Sequence, residues 1–310
     1  MKKEFQQIAW NDELRADSLE LLQRALREDL GTTGDVTTAA IVPADASGSA
    51  AVAVRQEGFI AGMPCAALIL QLVDSRLQWR PEIQDGQPAS PGQAIARIQG
   101  PASSLLAAER LMLNLLGRLS GIATLTHRYV EAIAGTRAKI YDTRKTTPGW
   151  RRLEKYAVRC GGGWNHRAGL FAAVLIKDNH LAIGCQLGAN GADRYNVADA
   201  VLRARRFIAE RQSIGSDMIV EAEVDTLDQL QQLLPAGPDL VLLDNMDPAR
   251  LRQAVALRDA AYPQVELEAS GGVNLQSVRD IAETGVDRIS VGALTHSAVG
   301  LDIGLDWLHG

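Results

Sequence analysis

The stretch AKIYDTRK, residues 138–145, joins a short apolar run to polar and charged side chains. Five further apolar runs also end in charged or glycine-rich residues: AVLI at 173–176, MIV at 218–220, LVLL at 240–243, VELE at 265–268 and RISV at 288–291. Most segments between them carry helical periodicity, and repeated strand-then-helix units are typical of a parallel sheet, often closed into a barrel. Six units rather than eight predict an incomplete α/β barrel.

Basic residues follow the first two runs. Arg144 and Lys145 come after the first, His166 and Arg167 follow a triple glycine, and Lys177 follows the second. The active site of an α/β barrel lies at the carboxyl ends of its strands. This arrangement therefore predicts an enzyme with a cationic pocket, suited to a substrate with several negative charges.

Acidic residues follow the third and fourth runs. Glu221 and Glu223 are two residues apart, so on a strand they share one face, and Asp244 ends the neighbouring run. Neighbouring buried carboxylates are costly unless a cation joins them. Carboxylates together with water and phosphate oxygens suit Mg²⁺, which we expect as the cofactor. The alternative is that arginine and lysine side chains neutralise these carboxylates.

Glycine-bearing turns follow the last two runs. They are Ser270-Gly271-Gly272 and Val291-Gly292-Ala293. Barrels commonly bind phosphate at the last two strand ends, through backbone N–H groups and a helix N-terminus. We therefore expect a phosphate site here, to which Ser270 and His296 could add donors.

The first third of the chain has a different character. Residues 49–100 are predicted to form a small β-rich layer, and residues 12–30 and about 103–119 are predicted helices. Arg110, Asn114 and Arg118 form one stripe on the second, largely apolar helix. The stripe is either a solvated face or the lining of an anionic pocket. The sequence leaves the role of Arg118 open.

Composition excludes several classes of protein. The net charge of −5 gives no indication of a nucleic-acid partner. Cys65, Cys160 and Cys185 form no CxxC pair, which favours reduced thiols and a cytoplasmic location. The amino-terminal residues lack the apolar region of a signal peptide, and no run approaches the length of a membrane span, so no membrane association is expected.

A phosphate site, a metal-capable carboxylate set and surplus basic residues suit transfer of a phosphorylated, pyrophosphate-bearing sugar to an anionic acceptor. Long motifs across the chain closely resemble those of the quinolinate phosphoribosyltransferase family. They are AER (108–110), LSGIAT (119–124), DTRKTTPG (142–149), LEKYAV (153–158), GGG with NHR (161–167), LIKDNH (175–180), EAEV (221–224), LLDNM (242–246), EASGG (268–272) and SVGALTHS (290–297).

The resemblance implies an α/β fold with two domains. An N-terminal α/β sandwich domain would span residues 1–120, with residues 298–310 packing back on it. An incomplete six-unit (β/α) barrel of the type II phosphoribosyltransferase kind would span residues 121–297 and hold the active site. The family also implies a homodimer in which Arg110 enters the active site of the partner subunit.

The resemblance also implies residue roles. It places Arg144, His166, Arg167 and Lys177 on quinolinate, and Lys145 near the acceptor and pyrophosphate. It places Glu223 and Asp244 near the ribose and Mg²⁺, directly or through water, and makes Lys145, Glu223 and Asp244 the catalytic residues. The remaining expected substrate-binding residues are Thr143 and, at the 5-phosphate, Ser270, Gly271, Gly272, Val291, Gly292, Ala293 and His296.

The expected reaction converts quinolinate and phosphoribosyl pyrophosphate to nicotinate mononucleotide, pyrophosphate and CO₂, a step of de novo NAD biosynthesis. One alternative is a related enzyme with another acceptor, such as nicotinate or a molybdenum-linked substrate. Lys177 in the KDNH motif argues against it, because it supplies an extra cation for a second carboxylate. A non-catalytic phosphosugar-binding module is a second alternative, which the presence of Glu223 and Asp244 disfavours.

Overall fold

The computed structural model describes residues 3–186, 196–211, 213 and 215–308, without the side chains of residues 185 and 186. The chain divides into two compact units. The barrel unit comprises Met1–Gln7, Arg128–Arg144 and Trp164–Gly292, and the sheet unit comprises Ile8–His127, Lys145–Gly163 and Ala293–Gly310. The domains predicted above, residues 1–120 with 298–310 and residues 121–297, stay a prediction.

The sheet unit is built on a four-stranded antiparallel sheet in the order β12-β1-β5-β3. Its strands are β1 (Ser47–Val54), β3 (Gln78–Pro81), β5 (Ala94–Pro101) and β12 (Ile303–Leu308). The short strands β2 (Gly58–Phe59) and β4 (Pro88–Ala89) pair separately. Because β12 pairs with β1 from Ser49 opposite Leu308 to Val54 opposite Ile303, the sheet joins distant parts of the chain.

Helices complete the sheet unit. They are α1 (Asp12–Leu30), α2 (Val36–Ile41), α3 (Met63–Val73), α4 (Ala102–Ala132), α5 (Arg151–Cys160) and α11 (Ala293–His296). The predicted helix over residues 12–30 is confirmed, and the Asn11 side chain caps it by accepting from the Leu14 N–H at 2.9 Å.

Helix α4 is longer than its sequence pattern predicts, since it continues past Leu119 to Ala132. Ser120 lies inside the longer helix, where its hydroxyl accepts from the Ala61 N–H at 3.0 Å. Gly121 is needed inside the helix, where a Cβ would lie 2.9 Å from the Gly300 Cα. These two residues therefore serve tertiary contacts.

The barrel unit contains a six-stranded parallel sheet in the order β6-β11-β10-β9-β8-β7. The strands are β6 (Lys139–Tyr141), β7 (Val174–Ile176), β8 (Val220–Val224), β9 (Leu240–Asp244), β10 (Glu266–Ser270) and β11 (Arg288–Ser290). The helices are α6 (Asp178–Gln186), α7 (Val197–Ala209), α8 (Leu227–Leu233), α9 (Pro248–Ala261) and α10 (Val278–Ala282). The predicted six-strand α/β architecture is confirmed.

The sheet is open between β6 and β7, which are its two edge strands. Trp164 partly covers the β6 edge: its N–H donates to the Ile140 carbonyl at 2.7 Å, and its carbonyl accepts from the Asp142 N–H at 2.9 Å. The residues after Trp164 are thereby held beside the opening. The path of the loop over residues 184–196, which the sequence leaves open, lies largely outside the described residues.

Among the residues that the structure describes, no helix combines the length and the apolar character that a membrane crossing requires.

Candidate active site

The strand register of the barrel unit places polar side chains on one face of the sheet. Glu223 lies opposite Leu242, so Asp244, two residues further along β9, shares its face. Ser270 lies opposite Asp244 on β10. The carboxyl ends of three neighbouring strands therefore carry Glu223, Asp244 and Ser270 on one face, which is the arrangement that the sequence predicts.

Lys177 follows β7 and joins this set. Its Nζ lies 2.5 Å from the Glu223 Oε2. The Lys177 side chain is 43% exposed and the Glu223 side chain 10% exposed, so the ion pair has one face toward solvent. The sequence assigned these two residues to different substrates, whereas the structure brings their side chains into contact.

Arg144 and Arg167 also come together. Arg167 is buried and Arg144 half-buried. Burial, together with the nearby charge of Arg144, lowers the pKa of Arg167, and Glu221 opposes the shift. Two guanidinium groups that repel one another in a site of low exposure favour an anion between them.

His166 lies deeper, among carboxylates. Its Nε2 is 3.2 Å from the Glu221 Oε2 and 3.4 Å from the Glu268 Oε1, and both glutamate side chains are fully buried. Burial would lower the pKa of His166, but the charges of Glu268 and Glu221 outweigh it and raise that pKa to about 10. Burial also raises the pKa of Glu221. The three buried side chains are therefore coupled through the ring proton that faces the carboxylates.

The other ring nitrogen of His166 decides where that proton lies. Nδ1 accepts from the Arg167 N–H at 2.9 Å, so Nδ1 carries no proton. The ring proton therefore lies on Nε2, between the imidazole and the two carboxylates. His166, Glu221 and Glu268 lie close enough together to be metal ligands, and a proton on Nε2 takes the place that a metal ion would occupy.

Glu223 and Asp244 fit a magnesium ion better. They offer hard oxygen ligands from adjacent strands, and both are half-buried rather than sealed. Mg²⁺ in proteins is commonly held by one or two carboxylates, with water and substrate phosphates completing its shell. The Asp244 Oδ2 accepts from the Asn245 Nδ2 at 2.7 Å, which fixes the orientation of that carboxylate.

The turn after β10 depends on its glycines. Gly271 has φ 93° and Gly272 has φ 62°, backbone conformations that favour glycine. A Cβ at Gly271 would also meet the Asn245 side chain, and Asn245 itself has φ 52°. The Asn245 N–H donates to the Ser270 carbonyl at 2.9 Å, so the ends of β9 and β10 are tied together. After β11, the Val291 N–H donates to the Tyr141 carbonyl at 2.9 Å and leads into Gly292.

Two basic residues of α5 have structural partners within the sheet unit. Arg152 pairs with Glu13 at 2.7 Å and with Asp17 at 2.9 Å on α1. The Arg159 Nη1 donates to the Gly163 carbonyl. The triple glycine is needed for close packing, since a Cβ at Gly163 would lie 2.6 Å from the Thr126 Cγ2.

The predicted stripe on α4 divides into two parts. Arg110 and Asn114 are exposed, whereas Arg118 pairs with the fully buried Glu154 through its Nη2 at 2.6 Å. Arg118 also donates to the carbonyl groups of Ala298, at 3.1 Å, and Thr295. Arg118 is thus a structural residue of the sheet unit, which answers the question that the sequence leaves open.

The Arg118–Glu154 pair fixes the backbone near two predicted site residues. Glu154 also accepts from the Thr147 hydroxyl at 2.8 Å, and the Thr295 hydroxyl donates to the Lys145 carbonyl at 2.7 Å. Lys145 and His296 are exposed, as are Gly271 and Gly272, while Thr143, Gly292 and Ala293 are half-buried and Val291 is buried.

Sequence reasoning missed three parts of this arrangement. Glu154 was overlooked inside a strongly basic helix, although its neighbour Leu153 predicts that this face is buried. Glu268 was quoted within its strand and given no role, although it shares the strand face of Ser270. The third part is the segment of residues 3–7, which is treated below.

The barrel unit is an open α/β barrel with cations, carboxylates and glycine turns at the carboxyl ends of its strands. This is the arrangement expected of a barrel-type phosphoribosyltransferase. Comparison with solved structures agrees. The nicotinate-nucleotide pyrophosphorylase from Francisella tularensis superposes with a TM-score of 0.86 at 36% sequence identity, over 98% of this chain and 100% of that chain.

The chain belongs to the quinolinate phosphoribosyl transferase family. The family model of the N-terminal domain matches residues 35–120 and that of the C-terminal domain matches residues 122–306. The nicotinate-nucleotide pyrophosphorylase (carboxylating) of Mycobacterium leprae is 47% identical over 289 residues, covering 92% of this chain and 95% of its own length. A probable enzyme of the same name from Bacillus subtilis is 41% identical, covering 92% of each. The predicted family and enzyme class are confirmed.

The Arg118–Glu154 pair yields a prediction about stability. Arg118→Met should lower the free energy of unfolding by about 2–4 kcal/mol, because it leaves the buried Glu154 carboxylate without its cation. The measurement is chemical denaturation at fixed protein concentration, with the exposed Arg252→Ala as a control that should stay within about 0.5 kcal/mol. A loss for Arg118→Met no larger than that of the control would show that the pair contributes little.

Proposed function

We propose that this chain transfers the phosphoribosyl group of phosphoribosyl pyrophosphate to the ring nitrogen of quinolinate. The products are nicotinate mononucleotide, pyrophosphate and CO₂, as in de novo NAD biosynthesis. The observation that carries the proposal is the set of charged residues of both signs on one face of the barrel sheet, with Glu223, Asp244 and Ser270 at neighbouring strand ends.

The acceptor requires cations because quinolinate is a dianion. Arg144 and Arg167 provide two guanidinium groups whose charges affect one another, and a planar guanidinium can bind a carboxylate through two parallel hydrogen bonds. We assign Lys177 to the second carboxylate of quinolinate. On binding, Lys177 would leave its ion pair with Glu223 and pair with that carboxylate. Thr143 completes the acceptor side. His166 is assigned here as well, and its buried ring supports a role through Arg167.

The donor side comprises Glu223, Asp244 and the glycine turns. The N–H groups of these turns suit the 5-phosphate, because main-chain donors bind anions without the entropy cost of a long side chain. This part of the proposal includes Ser270, Gly271, Gly272, Val291, Gly292, Ala293 and His296. We assign Lys145 to the departing pyrophosphate. Mg²⁺ held by Glu223 and Asp244, directly or through water, would supply charge neutralisation for the pyrophosphate.

The protein's own charges fit the order of chemical events. Positive charge develops on the ribose as the bond to pyrophosphate breaks, and the Glu223 and Asp244 carboxylates stabilise it electrostatically. Once the new bond forms, the pyridine nitrogen is cationic. Loss of the adjacent carboxylate as CO₂ then leaves a carbanion beside a positive charge, which makes the release easier. The carbanion takes up a proton from solvent to give nicotinate mononucleotide.

We also propose that the active form is a homodimer and that the enzyme acts in the cytoplasm. Arg110 supports the dimer, because it is an exposed arginine on a helix whose other faces are largely buried. Arginine suits a site in a neighbouring subunit, since it stays charged when partly buried. The free thiols of Cys65 and Cys160 are consistent with a reducing compartment.

The reaction itself is the first test. With Mg²⁺ present, the protein should release CO₂ from quinolinate only when phosphoribosyl pyrophosphate is added, with an equal amount of nicotinate mononucleotide. Glu223→Gln should lower kcat roughly 100-fold or more, because it removes a charge that faces the transition state. The exposed Glu210→Gln should retain full activity.

Two outcomes would contradict this assignment. Binding of the donor without turnover of any pyridine acid would indicate a phosphosugar-binding module. Turnover of nicotinate at the rate of quinolinate would indicate a different natural acceptor.

The role of Arg110 gives a second prediction. Arg110→Ala and Lys177→Ala homodimers should each be nearly inactive. Mixing them under subunit exchange should restore part of the activity, because one site of a mixed dimer then lacks both substitutions. If the mixture stays inactive although mass spectrometry shows mixed dimers, Arg110 does not act across the subunit boundary.

A further inference from the structure

The segment of residues 3–7 lies across the amino ends of the barrel strands. The Lys3 Nζ donates to the Met218 carbonyl at 3.0 Å and approaches the Asp239 Oδ2 at 3.3 Å, just before β8 and β9. Glu4 accepts from the Tyr141 hydroxyl at 2.7 Å and from the Arg288 Nη1 at 3.0 Å. The family models begin their match at residue 35, so this segment lies outside them.

Two side chains of the segment reach the residues beside the barrel opening. The Gln7 side-chain amide pairs with the backbone of Asn165 in both directions: its Oε1 accepts from the Asn165 N–H at 2.8 Å, and its Nε2 donates to the Asn165 carbonyl at 3.1 Å. This amide occupies the place that a neighbouring strand would take. The Phe5 ring packs on the His166 ring, with centroids 4.3 Å apart and the planes tilted by 31°.

Asn165 and His166 are restrained from the opposite side by Asp142. Its Oδ1 accepts from the His166 N–H at 2.8 Å and its Oδ2 from the Asn165 Nδ2 at 2.7 Å. Phe5 and His166 are 4% and 5% exposed, so the stacked rings are sealed from solvent. The orientation of the His166 ring therefore depends on Phe5 on one face and on the buried glutamates at its edge.

His166 transmits this restraint to Arg167. Its Nδ1 accepts from the Arg167 N–H at 2.9 Å, and the Arg167 Nη1 donates to the Ala173 carbonyl at 3.0 Å. Both ends of Arg167 are thus fixed within the barrel unit. Displacing a substrate-orienting group by about 1 Å can cost roughly 100-fold in rate, so restraints of this kind affect activity without touching the substrate.

We propose that Phe5 and Gln7 are positioning residues of the acceptor site: they hold Asn165 and His166 so that Arg167 is presented to an acceptor carboxylate. The inference rests on the proposed role of Arg167 in binding quinolinate. It gives the amino-terminal segment a function in substrate affinity, although the Lys3 contacts lie just before β8 and β9 and the proposed active site lies at the carboxyl ends of the strands.

The experiment compares Gln7→Met and Phe5→Leu with Gln6→Ala, an exposed neighbour in the same segment. Gln7→Met keeps the length of the side chain and removes both hydrogen bonds to Asn165. The KM for quinolinate should rise about tenfold in both positioning variants, while the KM for phosphoribosyl pyrophosphate stays within about twofold. Gln6→Ala should match the unmodified protein in both. Gln7 is only half-buried, so Gln7→Met is expected to fold. It provides the test by itself if Phe5→Leu fails to fold.

Hydrogen exchange provides a readout that does not depend on activity. The amides of residues 164–168 should exchange at least about tenfold faster in Gln7→Met than in Gln6→Ala, since the Asn165 N–H loses its acceptor. Unchanged exchange in this segment overturns the inference even if the protein has another acceptor. Faster exchange with equal changes in both KM values also overturns the inference, because the segment would then stabilise the fold as a whole rather than position the acceptor site. Failure of the unmodified protein to turn over quinolinate contradicts the proposed function separately.

Discussion

The barrel unit depends on how it compensates the charged side chains on one face of its sheet. Glu221, Glu268 and Arg288 are almost completely buried there, and a buried charge without a partner is strongly destabilising. The Arg288 Nη2 pairs with Glu266 at 2.5 Å, and Glu221 and Glu268 share His166 between them. These contacts fix residues from four segments far apart in the chain, so the compensation of charge also determines the geometry of the segment that ends in Arg167.

The same face has two levels with different tasks. Toward the amino ends, the charges are sealed and paired with one another, and residues 3–7 add Glu4 to that network. At the carboxyl ends, Lys177, Glu223 and Asp244 keep partial exposure. Because side chains on a strand alternate with a period of two, one face alone supplies both levels: Glu221 belongs to the sealed level and Glu223 to the exposed one.

Local patterns were sufficient to predict the six strands and the residues at their ends, because strand length and the position of polar residues both depend on short stretches of sequence. They were insufficient where a residue's role depends on a distant partner. Arg118 has the same periodicity as Arg110, yet only the fold brings it to Glu154. Phe5 and His166 lie far apart in the chain, and no local signal distinguishes Phe5 from an apolar residue at a chain end. The helix α4 was predicted too short, and the residues just past its predicted end, Ser120 and Gly121, make tertiary contacts that the local pattern does not reveal.

We propose that the cations of this face bind the acceptor and that its carboxylates serve the donor. Steady-state kinetics of Arg167→Ala and Arg144→Ala, with both substrates varied, tests it most directly. Each variant should raise the KM for quinolinate roughly 10- to 150-fold, the value of one charge-assisted contact, and leave the KM for phosphoribosyl pyrophosphate within about threefold. The exposed Arg252→Ala should change neither. Equal increases in both KM values would contradict the claim and would make these arginines supports of the fold rather than ligands of the acceptor.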